Sequence, residues 1–268
     1  MTGAAAKVFH NNWIENNPHH PMELVPSPRR VRVLFGGEVI ADSTNMGLLR
    51  EPKHVPVYYF PKEDVRMDLL TPTDHHSHCL WKGHGSYYTI TAGGKIAENA
   101  AWTYADPYPQ VPYFKDYIAF YWDRMDSWLE EDEEIFVHAR DPFKRVDTCL
   151  SHREVRVMLA GEEIARTTEA RFLFESNHQT RYYIPSDDIR MDMLEASPTR
   201  TSCPYKGDAI YYHARIDGKL IEDIAWSYPD PIAECPRIKG LICFFDERVD
   251  EILVEGKPVE KIETKWSR

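Results

Sequence analysis

The sequence has no apolar run near the roughly 20 residues that cross a bilayer, no block of Lys or Arg, and no cysteines spaced as C-x-x-C. With the first absence goes an N-terminus, MTGAAAKVFHNNW, that lacks both a basic flank and an apolar centre, so neither a membrane helix nor a signal peptide is expected. The second absence comes with a formal net charge of -11. Such a surface repels phosphate backbones and acidic lipid, so neither nucleic acid nor membrane is expected as a partner. The five cysteines (Cys79, Cys149, Cys203, Cys235, Cys243) are odd in number, which argues against a disulfide framework or a tetrathiolate zinc site. Reduced thiols in a soluble cytoplasmic protein follow. Also missing are long helical stretches that would carry parallel crossovers, which leaves antiparallel strands as the natural architecture.

What is present is apolar enough to fold: 43% of the 268 residues are hydrophobic and 12% aromatic, and the length suits two modest domains. The chain also repeats itself. VRVLFGGEVIA from Val31 aligns with VRVMLAGEEIA from Val155, 124 positions on, and the match continues without a gap. YYFPKEDVRMDLL from Tyr58 falls on YYIPSDDIRMDML from Tyr182, CLWKGHGSYY from Cys79 on CPYKGDAIYY from Cys203, and AWTYADP from Ala101 on AWSYPDP from Ala225. The organisation read from this is an N-terminal extension over 1–17, a first repeat over 18–141 and a second over 142–268.

Within a repeat the apolar residues alternate with period two, as in Val31, Val33, Phe35 and Val155, Val157, Leu159, which is the pattern of strands. Gly36-Gly37 and Ala160-Gly161 supply a first hairpin turn. Gly93-Gly94 and Asp217-Gly218, which tolerate positive φ, supply a second. Strands ending at Pro61 and Pro185 lead into one short helix per repeat, with Asp64 and Asp188 in its first turn and Met67, Leu70 and Met191, Leu194 in contact. Late strands are expected over 118–121 and 241–245, before a closing hairpin at Glu255-Gly256-Lys257-Pro258. The fold class is mostly β: two tandem homologous antiparallel domains, each a sandwich or barrel-like.

The run CPYKG, then YY, DGK and AWSYPDP, resembles the family known as domain of unknown function 427, sometimes labelled nucleotidyltransferase-like. Cys203, Pro204, Tyr205, Lys206, Gly207, Tyr211, Tyr212, Gly218, Ala225, Trp226 and Tyr228 carry the resemblance. It covers nearly the whole chain twice, and it implies a compact, mostly β fold without naming a reaction. The first repeat departs from it at Leu80, Trp81 and Ala105. A nucleotidyltransferase needs paired carboxylates for Mg²⁺ and a glycine-rich turn for phosphates, and neither D-x-D nor G-x-x-x-x-G-K occurs.

Several duplicated residues are candidates for a site. Glu98, Trp102 and Tyr104, matched by Glu222, Trp226 and Tyr228, lie two and four apart, so on a regular strand a carboxylate and two aromatic rings share a face. That face suits a flat or cationic small ligand, or the rings are core. Lys82 with Tyr88, and Lys206 with Tyr212, extend it; the lysines either anchor an anion or cover an aromatic face with their stems. Arg66 and Arg190 recur in Arg-Met-Asp and are expected to reach partners other than Asp68 and Asp192, because residues two apart on a helix do not face one another. His54 and His178, with Glu98 and Glu222, are the candidate catalytic groups, as base or acid. Cys79 and Cys203, three residues before the lysines, read as inert buried thiols. His75, His76, His78 and His84 crowd a loop bounded by Pro, Thr and Ser in the first repeat alone. His76, His78 and His84, with Cys79, are the weak candidates for a metal.

The expectation is therefore a protein with one aromatic-lined small-molecule pocket per repeat, enzyme or not, with no cofactor identified and a homo-oligomer permitted. The rivals are a structural or interaction module and a metal-dependent enzyme using the His-rich loop.

Overall fold

The structure, a computed structural model, describes residues 20–264; the extension expected over 1–17 lies outside them. The chain divides between Asp141 and Pro142 into two compact units.

In the first unit the strands are β1 (Glu23–Pro26), β2 (Val31–Phe35), β3 (Glu38–Ser43), β4 (Gly47–Arg50), β5 (Val57–Pro61) and β6 (Leu70–Cys79). They continue with β7 (Gly83–Ala92), β8 (Lys95–Pro107), β9 (Tyr117–Phe120), β10 (Ser127–Glu130) and β11 (Glu133–Ile135). In the second unit follow β12 (Val146–Ser151), β13 (Val155–Leu159), β14 (Glu162–Thr167), β15 (Ala170–Glu175), β16 (Arg181–Ile184) and β17 (Leu194–Cys203). The last are β18 (Gly207–Ile216), β19 (Lys219–Ser227), β20 (Ile242–Phe244), β21 (Glu251–Val254) and β22 (Lys257–Pro258).

Each unit pairs a seven-stranded sheet with a four-stranded one, in the same order: β1-β4-β5-β9-β8-β7-β6 with β11-β10-β2-β3, and β12-β15-β16-β20-β19-β18-β17 with β14-β13-β21-β22. Every sheet keeps two edges, so none closes into a barrel. The core between the sheets follows from alternation. Val31, Val33 and Phe35 of the small sheet meet Tyr58, Phe60, Ile90, Ile118 and Phe120 of the large one, and Val155, Val157 and Leu159 meet Tyr182, Ile184 and Phe244. Each such buried side chain contributes about 1.5–3 kcal/mol. The alternate residues point the other way. Leu49, Tyr59, Tyr104 and Ala119, and Leu173, Tyr183, Trp226 and Cys243, form a second apolar cluster on the far face of each large sheet.

Four expectations are corrected. The single short helix is two successive turns of 3-10 helix in each repeat, Lys62–Asp64 with Met67–Leu69 and Ser186–Asp188 with Met191–Met193. The cause is that the N–H of Arg66 goes to the Ile40 carbonyl and that of Arg190 to the Ile164 carbonyl, each at 2.8 Å, so no continuous helical ladder forms. Asp64 and Asp188 accept bonds from Ser43 and Thr167 at 2.6 and 2.5 Å instead of capping. Arg66 and Asp68 do pair, through two bonds of 2.8 and 2.7 Å, as do Arg190 and Asp192 at 3.0 and 2.9 Å, because the break between turns brings residues two apart together. The His-rich segment is not a loop but the edge strand β6.

The fourth correction concerns β8 and β19. Opposite Thr89, between the pairs Tyr88–Ala101 and Ile90–Ala97, the strand carries three residues, and Asn99 has φ 51°. Opposite His213 the same happens around Asp223, with φ 48°. Consecutive residues Ala100 and Ala101, and Ile224 and Ala225, all enter the sandwich core, so the strand expected to run regularly from Glu98 to Trp102 and from Glu222 to Trp226 is interrupted by a bulge.

Candidate functional site

The Lys-Gly turn that opens β7 and β18 positions the site. Gly83 and Gly207 have φ of 104° and 106°, and a Cβ on either would stand 3.2 Å from the carbonyl oxygen of Asp106 or Asp230. Glycine suits both conditions. The preceding carbonyls, of Lys82 and Lys206, accept the N–H groups of Tyr108 and Ile232 at 3.1 Å, which holds the lysine side chains inward. Both lysines are buried, 5% and 9% exposed.

Each ammonium meets a carboxylate that reading the sequence missed. Lys82 Nζ lies 2.6 Å from Glu51 Oε2, and Lys206 Nζ 2.5 Å from Glu175 Oε2. Both glutamates stand where β4 and β15 end, 31 residues before their lysines. A signal for them existed: Glu51-Pro-Lys-His54 and Glu175-Ser-Asn-His178 occupy matching places in the two repeats.

The second oxygen of each glutamate is used differently. In the first repeat Glu51 Oε1 lies 2.8 Å from His20 Nε2, and the His20 ring stacks on Trp81 with centroids 4.4 Å apart. In the second, Glu175 Oε1 lies 2.9 Å from the ammonium of Lys144, which also donates to the Ser176 carbonyl at 2.9 Å and hangs 5.9 Å from the Tyr205 ring centroid. His178 Nε2 approaches Glu175 Oε1 to 3.6 Å. Burial pushes the Glu51 and Glu175 carboxyls up, but the adjoining ammoniums and hydrogen bonds outweigh it and hold both below the usual carboxylate range. For His178 burial works with Lys144, Lys206 and Arg181 against the attraction of Glu175, and the imidazole is held below its ordinary value.

Beside each pair stands a tyrosine. Lys82 Nζ is 5.9 Å from the Tyr104 ring centroid. Burial raises the Tyr104 and Tyr228 phenols well above their ordinary value, with the neighbouring glutamates adding to the shift, so both stay protonated at neutral pH. Behind them the Trp102 indole N–H donates to Tyr59 Oη at 3.2 Å and that of Trp226 to Tyr183 Oη at 3.1 Å. Trp226 and Tyr228 are 7% and 6% exposed, while Trp102 is half-buried against Tyr121 at 4.7 Å.

The other candidates fall elsewhere. Glu98 and Glu222 are exposed beside their bulges. Tyr88 and Tyr212 pack against the sandwich core on the opposite face of the sheet, and it is Tyr87 and Tyr211 that lie on the tryptophan side. Arg66 and Arg190 spend their guanidinium forks on Asp68 and Asp192. His54 is exposed, near enough to Glu51 to favour its charged form. His78 and His84 face each other across β6 and β7 with ring centroids 4.7 Å apart, and His78 Nε2 meets Tyr108 Oη at 2.8 Å. Cys79 is half-buried against the far-face cluster instead. Among the described residues no group of three or more His, Cys, Asp or Glu is arranged to hold a metal ion. An open polar groove on the second unit is lined by Glu154, Arg166, Thr167, Thr168, Glu169 and Asp188, apart from the tryptophan and the buried pair.

Among the described residues no helix is long and apolar enough to cross a membrane. No curated protein matches the chain. A family match, however, covers residues 23–131 and again 147–255, so that each match takes in one buried Lys–Glu pair and its aromatic cluster. The chain therefore belongs to the family described as Domain of unknown function (DUF427), of which it carries two tandem copies.

Proposed function

We propose that each repeat is a small-molecule-binding domain whose site is the buried ammonium–carboxylate pair, Lys82 with Glu51 and Lys206 with Glu175, at the rim of the aromatic cluster. One observation carries the reading. A buried ion pair loses about as much in desolvation as it gains in attraction, and apolar residues of similar size often serve stability as well. Yet both repeats keep the pair while its surroundings changed, His20 to Lys144, Met22 to Val146 and Trp81 to Tyr205. Loss of either partner alone is costly, but stability does not favour the pair over an apolar one, and its retention supports a role in binding.

The groups suit recognition. Each site offers ammonium donors, a protonated phenol and an aromatic face, the combination that orients a small polar molecule with a flat apolar body. In the second repeat His178, held uncharged near neutral pH, is the group able to accept a proton from such a molecule. Cytoplasmic residence accords with the acidic composition and the absence of paired cysteine motifs.

The burial of Trp226 and Tyr228 favours a second reading, an aromatic core in a module that binds no small molecule. Mass spectrometry of small molecules released from purified wild-type protein and from Lys206→Met separates the two. A compound present in the first and depleted in the second is the expected result. No compound from wild type, together with an unfolded Lys206→Met/Glu175→Leu, would make the pair structural.

A further inference from the structure

Resting on the reading that the buried pair is a ligand site, we infer that the two repeats differ in the charge they accept, and that the second takes a small oxyanion, a carboxylate or phosphate carried on a flat apolar body. In the second repeat two ammoniums, Lys206 at 2.5 Å and Lys144 at 2.9 Å, share the single carboxylate of Glu175. In the first, one ammonium, Lys82 at 2.6 Å, faces Glu51, and the place of Lys144 is held by His20. With histidines counted as neutral, the second site carries an excess of one positive charge and the first carries none.

Arg181, Asp246 and Glu247 together carry one negative charge, but among the described residues none of them forms an ion pair with Lys144, Lys206 or Glu175. Arg181 is committed to Asp246 and Glu247, at 2.9 and 2.7 Å, and His178 is held uncharged by burial and by the ammoniums around it. Donor capacity points the same way. Lys206 Nζ has three N–H donors and, among the described residues, one oxygen partner, although the residue is 9% exposed. Lys82 Nζ adds a contact to Met22 Sδ at 3.9 Å, and the residue matching Met22 is Val146, which has no acceptor in its side chain. A buried ammonium with donors to spare favours an acceptor, and charge-assisted bonds to an oxyanion are the strongest on offer. The site opens on the side of Lys144 and His178, whose side chains are 16% and 38% exposed. The Tyr205 ring under Lys144 supplies a surface for a flat body.

Titration calorimetry on the full chain with benzoate, phenyl phosphate and the uncharged benzamide tests this. One anion is expected to bind once per chain, whichever of benzoate or phenyl phosphate binds more tightly telling carboxylate from phosphate, with benzamide at least about tenfold weaker, the loss of one charge-assisted contact. Lys144→His, which installs the residue of the first repeat, removes that binding. His20→Lys creates a second site, a gain that misfolding cannot imitate. Equal binding of benzamide and benzoate overturns the charge preference while leaving a small-molecule site in place. Two equal sites in wild-type protein, or no second site in a folded His20→Lys, also overturn the difference between repeats. Binding of neither anion overturns the inference, and if wild-type protein also releases no small molecule, the reading beneath it falls too.

Discussion

Ser197 Oγ donates to Asp223 Oδ1 at 2.5 Å from β17 to β19, spanning the strand that lies between them in the sheet, and in the first repeat Thr73 Oγ1 donates to Asn99 Oδ1 at 2.6 Å from β6 to β8. The acceptors are the residues with positive φ at the two bulges. Asp223 further accepts from Thr199 at 2.7 Å and donates its N–H to His213 Nδ1 at 3.0 Å; Asn99 donates its own to Thr89 at 3.3 Å. The bulge that follows Glu98 and Glu222 is thus tied down twice, with different residues doing the tying.

Asp223→Asn is expected to leave the bulge and the stability of the second repeat intact, because Asn99 fills the same role. Asp223→Ala loses both accepted bonds and places alanine at positive φ, a combined loss of about 2–3 kcal/mol. Urea denaturation followed by tryptophan fluorescence reads both, and equal loss in the two variants would contradict the equivalence.

Removing the acceptor of a buried indole has a defined effect. Tyr183→Phe deprives the Trp226 N–H of its partner at 3.1 Å inside a buried cluster, which costs about 1–3 kcal/mol. Tyr59→Phe does the same to Trp102, but that indole is half-buried and is expected to recover part of the loss from solvent. Paired chemical denaturation curves rank the two, and the reverse order would refute the argument.

Two neighbouring glycines should behave unlike each other. A Cβ on Gly93 would lie 1.7 Å from the Gly36 carbonyl oxygen, where the turns of β2–β3 and β7–β8 touch, whereas a Cβ on Gly94 meets nothing within 4 Å. Both have positive φ, 52° and 78°, so Gly94→Ala is expected to cost about 1–2 kcal/mol from backbone conformation alone. Gly93→Ala adds a clash of backbone on backbone and is expected to cost about 3 kcal/mol or more. Thermal unfolding midpoints of the two variants check the difference.

Acid should weaken the second repeat in two stages. His178 is depressed below its ordinary 6.5, so on acidification the unfolded chain takes up the proton first and stability falls as pH drops below that value. Glu175 is also depressed, below 4.5, so its contribution is present above that pH and is lost as pH falls through the lower folded value. Denaturation midpoints measured from pH 7.5 to 3 are expected to show both stages, and His178→Gln to remove the upper one. An unchanged upper stage in that variant would assign it elsewhere.

Much of the architecture could be read from residues close together along the chain. Val31, Val33 and Phe35 alternate because a strand has period two, and Asp217-Gly218, at φ 48° and 77°, closes the hairpin that such a dipeptide favours. The lysines, tryptophans and tyrosines of the site were also visible, since each occurs twice in register. The carboxylate recurs in register too, as Glu51 and Glu175, but its place beside the lysine was not visible. Glu98 stands four residues from Trp102 and looked like its partner, whereas Glu51 comes from a strand three places away in the sheet, β4 against β8, and nothing local marks it as facing Lys82.

The amino-acid order alone therefore determined the duplication, the strands and most of their turns, because steric preference and alternation act over a few residues. Which carboxylate meets which ammonium, where β8 and β19 bulge, and that Arg66 turns back on Asp68 were decided only when the sheets assembled. Those outcomes depend on which strand lies beside which, and contacts between residues 31 apart carry no signature in the stretch around either one.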